Sequence, residues 1–118
     1  ANEANLTITK SLNPTVVTEN GQITYTFVIQ NTGNTPVIAT DNAVITDTFD
    51  PVLSNITVAF NGVSWATPTN YTYNPVTGQF ATNAGQITVP AATYTQDPAT
   101  GAVIIQPGIS TLTITGTV

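Results

Sequence analysis

The sequence predicts an all-β protein folded as an antiparallel sandwich. Three observations indicate this class: apolar and polar residues alternate along most of the 118-residue chain, turn residues separate the alternating runs, and no stretch shows a convincing helical period. Thr, Val and Ile recur in these runs, and their branched side chains suit a pleated, half-buried surface. Nothing in the composition marks a linker, so we expect residues 1–118 to form one domain.

The first and last runs show the alternation clearly. We expect residues 1–12 to form either the first strand or an exchangeable strand that is donated to a neighbour. One face of this segment carries Leu6, Ile8, Lys10 and Leu12. The closing run, STLTITGTV, places on one face Leu112, Ile114 and Val118. Further strands are predicted around QITYTFVIQN, AVITDTF, NITVAF, QITV and AVII.

Two segments of nearly the same sequence, YTYNPVTGQF at residues 71–80 and YTQDPATGAV at residues 94–103, predict two β-hairpins of one design. In each, an Asn or Asp supplies a side-chain acceptor and a Pro fixes φ at the next position. A Gly then provides the positive φ that closes the loop. These turn residues are Asn74, Pro75 and Gly78 in the first copy and Asp97, Pro98 and Gly101 in the second.

The charge of the chain excludes several classes of function. Only 6% of the residues are charged, the net charge is −5, and there is one Lys but no Arg and no His. Such a surface is poorly suited to phosphates, so we expect no nucleic-acid partner. No apolar run approaches the roughly 20 residues of a membrane span, so we expect no membrane insertion. Without His or Cys, no Ser-His or Cys-His pair can form, and we expect neither enzymatic activity nor a cofactor.

Several motifs in the first half of the chain resemble those of a known family. They are Thr9-Lys10, Pro14, Gly21, Tyr25-Thr26, Asn31-Thr32-Gly33 and Thr46-Asp47-Thr48. This pattern is similar to that of the DUF11 family, also called conserved repeat domain B, and the second half of the chain matches it more loosely. The resemblance implies an immunoglobulin-like β-sandwich on the surface of bacteria, often repeated in tandem as a stalk. It specifies a scaffold and implies no chemistry.

An incomplete sandwich is the basis of an assembly hypothesis. Members of the family usually continue into one more strand, whereas this sequence ends at Val118, so either the segment is cut from a longer protein or the last strand comes from elsewhere. A sandwich that lacks a strand exposes an unpaired edge, which a strand from a neighbouring domain or chain can complete by β-strand addition. We therefore expect an extracellular stalk repeat or filament subunit whose partner is itself or a neighbouring repeat. The residues expected at such contacts are Leu6, Ile8, Leu12, Leu112, Ile114 and Val118.

The single basic residue, Lys10, lies at an apolar position of the first run, and Asp47 shares a face with Ile45 and Phe49. A lysine buried without a partner is costly, so Asp47 is the expected partner. One interpretation is a structural ion pair, or a lysine that reaches the rim. The other is an autocatalytic isopeptide bond, as in Gram-positive surface domains of related architecture. There a neutral lysine attacks an Asn side chain while a carboxyl group shuttles protons.

Four aromatic residues are candidates for a binding surface in the alternative class, an adhesin module for a surface glycan or a host protein. They are Trp65, Tyr71, Tyr73 and Tyr94. Sugar binding needs a contiguous exposed patch of such rings. Aromatic residues of a sandwich otherwise pack in the core or across strands.

A calcium site is the metal site that the acidic residues suggest. Asp41, Asp47 and Asp50 are close in sequence and, with backbone carbonyls, could form a site beside a strand end. The alternative is that these carboxylates solvate a loop and cap its turns. The hairpin turns are poorer candidates, because the first has no carboxylate and the second has only Asp97.

Overall fold

The structure, a computed structural model, describes residues 3–118 and confirms the predicted all-β class. Its strands are β1 Leu6–Asn13, β2 Gln22–Asn31, β3 Thr46–Thr48, β4 Ser54–Phe60, β5 Val63–Trp65, β6 Tyr71–Tyr73, β7 Gln79–Thr82, β8 Thr93–Gln96, β9 Val103–Gln106 and β10 Gly108–Thr117. A short 3-10 helix, Ala39–Asp41, lies between β2 and β3. Within the described part of the chain, no helix has the length and apolar character needed to cross a membrane. Residues 1 and 2 of the predicted first strand lie outside the described residues.

The strands form two sheets of unequal size and a separate hairpin, and their pairing is antiparallel. The larger sheet has five strands in the order β1-β2-β10-β4-β5, and the smaller has three in the order β3-β7-β6. The remaining strands, β8 and β9, pair with each other. Because three strands cannot cover five, part of the inner face of the larger sheet is left open.

The core connects the two sheets through aromatic contacts. The ring of Tyr25 in β2 lies 4.7 Å from the ring of Phe49, which lies 6.1 Å from the ring of Phe80 in β7. Tyr71 in β6 extends the cluster, with its ring 5.4 Å from that of Phe80. Such pairs contribute about 0.5–1.5 kcal/mol each beyond the burial of their area. The predicted alternation of β2 is therefore what brings one of its faces against the smaller sheet.

The position of β10 corrects one expectation from the sequence. Leu112 and Ile114, predicted to lie at assembly contacts, are fully buried, because β10 is paired on both sides, with β2 and with β4. Val118 is partly buried against the same core, and its N–H donates to the carbonyl oxygen of Gly21 at 2.9 Å. A strand inside a sheet has no free edge, so Leu112 and Ile114 stabilise the core and are not available to a partner.

The two predicted hairpin turns have matching hydrogen bonds. Oδ1 of Asn74 accepts from the backbone N–H groups two and three residues further on, at 2.9 and 3.2 Å. Oδ1 of Asp97 accepts from the equivalent N–H groups at 2.8 and 3.3 Å. Gly78 and Gly101 have positive φ angles of 80° and 75°. Both segments are therefore strand, turn and strand, as their sequences predict.

The surroundings of the two hairpins differ. The first hairpin, β6–β7, belongs to the smaller sheet and buries Phe80 completely. The second hairpin, β8–β9, forms a two-stranded sheet of its own, and all eight of its strand residues are exposed. One turn design is thus used once inside the sandwich and once outside it.

Candidate functional site

Strand β1 forms one edge of the larger sheet and is accessible along its whole length. It pairs with β2 in an unbroken register from Leu6 opposite Asn31 to Asn13 opposite Thr24. Among the strands of residues 3–118 it pairs with β2 alone, and all eight of its residues are exposed. The outward N–H and C=O groups of such an edge can pair with an added strand.

One face of β1 is apolar, as its alternation predicts, but it is not buried. Ile8 lies opposite Ile29 and Leu12 lies opposite Tyr25, so this face of β1 continues the core-facing side of β2. Ile8 nevertheless remains 52% exposed, and Leu6 and Leu12 are 43% and 39% exposed. The smaller sheet ends at β3 and leaves this face open, so three of the predicted assembly residues lie on an accessible surface.

A groove of about 170 Å³ lies beside this face. Its apolar lining includes Leu6, Ile8, Ile29, Val44, Ile45 and Ile87. Val44 is itself 52% exposed, which leaves the groove open to solvent. A lining with few polar groups to orient a small polar ligand suits the side chains of an apolar strand.

An ion pair connects β1 to β3 across the open side of the sandwich. Nζ of Lys10 lies 2.5 Å from Oδ2 of Asp47, and the two side chains are 39% and 21% exposed. Oδ2 itself is shielded from solvent and has no hydrogen bond of good geometry, so the ammonium charge is what compensates it. The predicted ion pair between Lys10 and Asp47 is therefore confirmed. The lysine side chain is partly exposed, although its apolar position predicted burial.

Aromatic rings surround the same ammonium group. Nζ of Lys10 lies 4.9 Å from the ring centroid of Tyr25, 5.7 Å from that of Phe49 and 5.9 Å from that of Phe27. A cation over an aromatic face gains about 0.5–1 kcal/mol at exposed sites. These contacts explain why a lysine occupies an apolar position: it has a structural role there. The isopeptide bond, which requires the ammonium to lose its proton, stays a prediction.

Asn31, at the end of β2, fixes the start of β1, a role of its side chain that was not predicted from the sequence. It is completely buried, and its Oδ1 accepts from the N–H groups of Asn5 and Gly33 at 3.0 and 2.9 Å. Its Nδ2 donates to the carbonyl oxygens of Thr35 and Pro90 at 2.8 and 3.2 Å. All four hydrogen-bonding positions of the amide are used. The signal for this role was the Asn-Thr-Gly motif, which carried only the family resemblance.

The four predicted aromatic residues do not form one exposed patch. Tyr71 is 5% exposed in the core, where burial raises the pKa of its hydroxyl. Tyr73 is partly buried and donates its hydroxyl proton to the carbonyl oxygen of Leu53 at 2.7 Å. Trp65 is partly buried and stacks on Phe60 at 5.0 Å between centroids. Tyr94 alone is an exposed ring, at 47%, so the predicted sugar platform is not assembled.

The predicted calcium ligands do not come together. Asp41 is used locally, because its Oδ2 accepts from the N–H of Ile38 at 2.8 Å. Asp47 pairs with Lys10, and Asp50 is exposed in the loop after β3. Residues 3–118 contain no group of three acidic, His or Cys side chains placed to hold a metal ion. The alternative, in which these carboxylates serve the loop and its turns, fits this geometry.

The exposed hairpin β8–β9 carries an apolar face, of which Tyr94 alone was among the predicted binding residues. Tyr94 lies opposite Ile105, and Gln96 lies opposite Val103, so all four side chains share one face. Val103 and Ile105 are 64% and 50% exposed. The run AVII indicated a strand, but its alternation could not show that no second layer covers it.

Comparison with protein-family models, curated proteins and solved structures gives no match to this chain. The described residues form an all-β, sandwich-like domain with an accessible apolar edge strand, a groove beside that strand and an exposed apolar hairpin.

Proposed function

We propose that this protein is an extracellular structural domain of a bacterial surface protein, acting as a stalk repeat or a filament subunit that assembles by β-strand addition. The observation that carries the proposal is the edge strand β1, which is eight residues long and exposed throughout. Its partner is a second copy of the chain or a neighbouring repeat. No catalytic chemistry is needed for this role.

The edge has few of the features that prevent strands from pairing. Soluble sheets block their edges with charges, prolines, bulges or short strands. Within β1 there is no proline, the register with β2 is unbroken, and the one charge belongs to Lys10, whose partner is Asp47. The exposed face carries Leu6, Ile8 and Leu12 instead. Such an edge is a template for another strand.

The composition supports an extracellular location. The chain is rich in Thr, has 6% charged residues, and contains no Cys and no Met to oxidise. The resemblance of its first half to the DUF11 family points to the same location and to a tandem stalk. An adhesin role with a protein ligand has one supporting feature, the exposed face that carries Tyr94. A glycan-binding role has less support, because the four aromatic residues do not form one exposed patch.

Light scattering over a wide range of protein concentration, together with electron microscopy, tests the proposal. We expect the chain to associate as concentration rises and Ile8→Lys, which puts a charge on the edge, to remain monomeric. Val63→Lys is the matched control, because Val63 is 64% exposed on β5, the opposite edge of the same sheet. A wild-type chain that stays monomeric at all concentrations rejects assembly by strand addition.

A further inference from the structure

The hairpin β8–β9 has an exposed apolar face that a partner could cover. Its strands pair with each other, and one face presents Tyr94, Val103 and Ile105 to solvent at 47%, 64% and 50% exposure. A two-stranded hairpin without further packing is marginally stable in water. A third strand or a covering apolar surface would stabilise it, and so an edge such as β1 is a suitable partner.

The base of the hairpin is held on the sandwich beside the residue that precedes its own β1, since the N–H of Thr32 donates to the carbonyl oxygen of Asn5 at 3.0 Å. Tyr94 donates its hydroxyl proton to the carbonyl oxygen of Thr32 at 2.6 Å. The N–H of Ala92 donates to the carbonyl oxygen of Gly33 at 3.0 Å. At the other side of the base, Gly108 begins β10, which is separated from β1 by β2. Within the described residues the hairpin strands pair only with each other, so the hairpin is not docked on its own β1 and is available to that of another molecule.

We propose that the hairpin β8–β9 of one copy docks on the edge strand β1 and the adjoining groove of a second copy. This inference rests on the proposed assembly by strand addition and names both surfaces. In the register we propose, β9 runs antiparallel to β1 with Ile105 beside Ile8. Val103 then lies beside Lys10, and the face that carries Tyr94 covers the open side of the sandwich.

The charges of the two surfaces agree with this occupant. Lys10 is the only cationic side chain of the protein, and it lies on the exposed face of β1. The proposed register brings the tip of the hairpin, with Asp97, to the end of the contact where Lys10 lies. The strand residues of the hairpin carry no charge, so docking does not bury an unpaired charge of the hairpin. A chain with net charge −5 repels its copies, and an uncharged hairpin adds no further repulsion at the contact.

The contact joins two different surfaces, so it does not close on itself as a two-fold dimer does. After docking, the copy that donated its hairpin keeps a free β1 edge, and the copy that bound it keeps a free hairpin. Repetition of a head-to-tail contact gives a ring if the rotation closes and an open filament if it does not. The proposed contact therefore connects a single surface pairing to a stalk-like or filamentous assembly.

Disulfide trapping between two variants tests the register, and the absence of native Cys makes it specific. Thr9→Cys and Ile104→Cys are each one residue from the Ile8–Ile105 pair and point away from the apolar faces. The first variant is isotopically heavy and the second light, and they are mixed under mild oxidation. Because a disulfide needs Cα atoms within about 7 Å, we expect heavy–light dimers to exceed each same-label dimer by about tenfold. A statistical distribution of the three dimers overturns the register.

Val76→Cys replaces Ile104→Cys in the control mixture. Val76 lies in the matching turn of the other hairpin and is 84% exposed, so it is an equally accessible site in the wrong place. Trapping of Thr9→Cys by Val76→Cys at the same yield would show unspecific collision and overturn the proposal.

Light scattering separates this inference from the proposed function. Ile105→Asp is expected to abolish association, and Val76→Asp, with the same charge change, is expected to leave it unchanged. If the wild type associates and Ile105→Asp associates equally, the hairpin contact is wrong while assembly by another edge stands. If the wild type does not associate at any concentration, the proposed function fails first.

Discussion

The ammonium group of Lys10 lies 2.5 Å from Oδ2 of Asp47, so one ion pair joins the edge strands of the two sheets. The same ammonium lies over the ring of Tyr25 at 4.9 Å. The edge strand β1 buries none of its residues, and this contact is therefore one of few that hold its open side against the sandwich. The surface that is available for assembly and the contact that fixes it lie on one strand.

Replacing Lys10 by Met is expected to lower the free energy of unfolding by about 1–2 kcal/mol, a range set by the loss of a charged partner at a site that is partly exposed. The shielded oxygen of Asp47 would lose the cation that compensates it. Urea denaturation of the wild type, Lys10→Met, Asp47→Asn and the double variant measures the coupling directly. Additive effects in this cycle would show that the ion pair contributes nothing.

The intact mass of the protein is expected to equal the mass calculated from its sequence. Nζ of Lys10 is 2.5 Å from a carboxylate oxygen in an ion pair, whereas an isopeptide bond would join it to a side-chain carbonyl carbon. Mass spectrometry under denaturing conditions decides this, with Lys10→Met as the control. A wild-type mass lower by one ammonia would establish a bond to an Asn, and the loss of one water would establish a bond to an Asp.

Replacing Asn31 by Ala is expected to destabilise the protein by about 2–4 kcal/mol, because several buried hydrogen-bonding groups lose their partner at once. Urea denaturation measures the loss, and hydrogen exchange of the β1 amides shows whether the strand is released first. Gln30→Ala is the matched control, since Gln30 is the exposed neighbour in β2. Equal stability of the two variants would contradict the role of Asn31 in holding the start of β1.

The strands and turns could be predicted from the sequence because their signals are local. Alternation marks the strands, and the Asn-Pro and Asp-Pro turns follow from side-chain acceptors and glycine φ angles a few residues apart. The pairing of Lys10 with Asp47 was also predictable, although 37 residues separate them, because each occupies an apolar position and the chain has no other cation.

Burial could not be predicted in the same way, because it depends on which strands become neighbours. Leu112 and Ile8 both lie on the apolar face of an alternating run, yet Leu112 is fully buried and Ile8 is 52% exposed. The difference is that β10 is central in its sheet and β1 is at the edge. For the same reason Tyr71 is in the core while Tyr94, its counterpart in the repeated segment, is exposed. The candidate site is where the sheet topology leaves a predicted apolar face uncovered.

Alkaline pH is expected to destabilise the protein partly through Tyr71. Burial raises the pKa of its hydroxyl above the ordinary value of 10.0, so the folded state disfavours the phenolate. The stability that this provides is complete below pH 10.0 and is lost as the pH rises through the higher folded pKa. Urea denaturation at increasing pH should show a smaller alkaline loss for Tyr71→Phe than for the wild type. Equal alkaline losses for the two proteins would contradict this role of Tyr71.

The two hairpin turns permit a matched comparison of one substitution in two surroundings. Gly78 and Gly101 have φ angles of 80° and 75°, so alanine at either position is strained by about 1–2 kcal/mol. At Gly78 the added methyl group would also overlap the carbonyl oxygen of Phe49, whereas at Gly101 the nearest atom, Nε2 of Gln96, is 3.7 Å away. Because that overlap involves backbone, Gly78→Ala should cost at least about 1 kcal/mol more than Gly101→Ala in urea denaturation. Equal costs would mean that the segment around Phe49 moves freely, which a core ring in contact with Tyr25 and Phe80 should prevent.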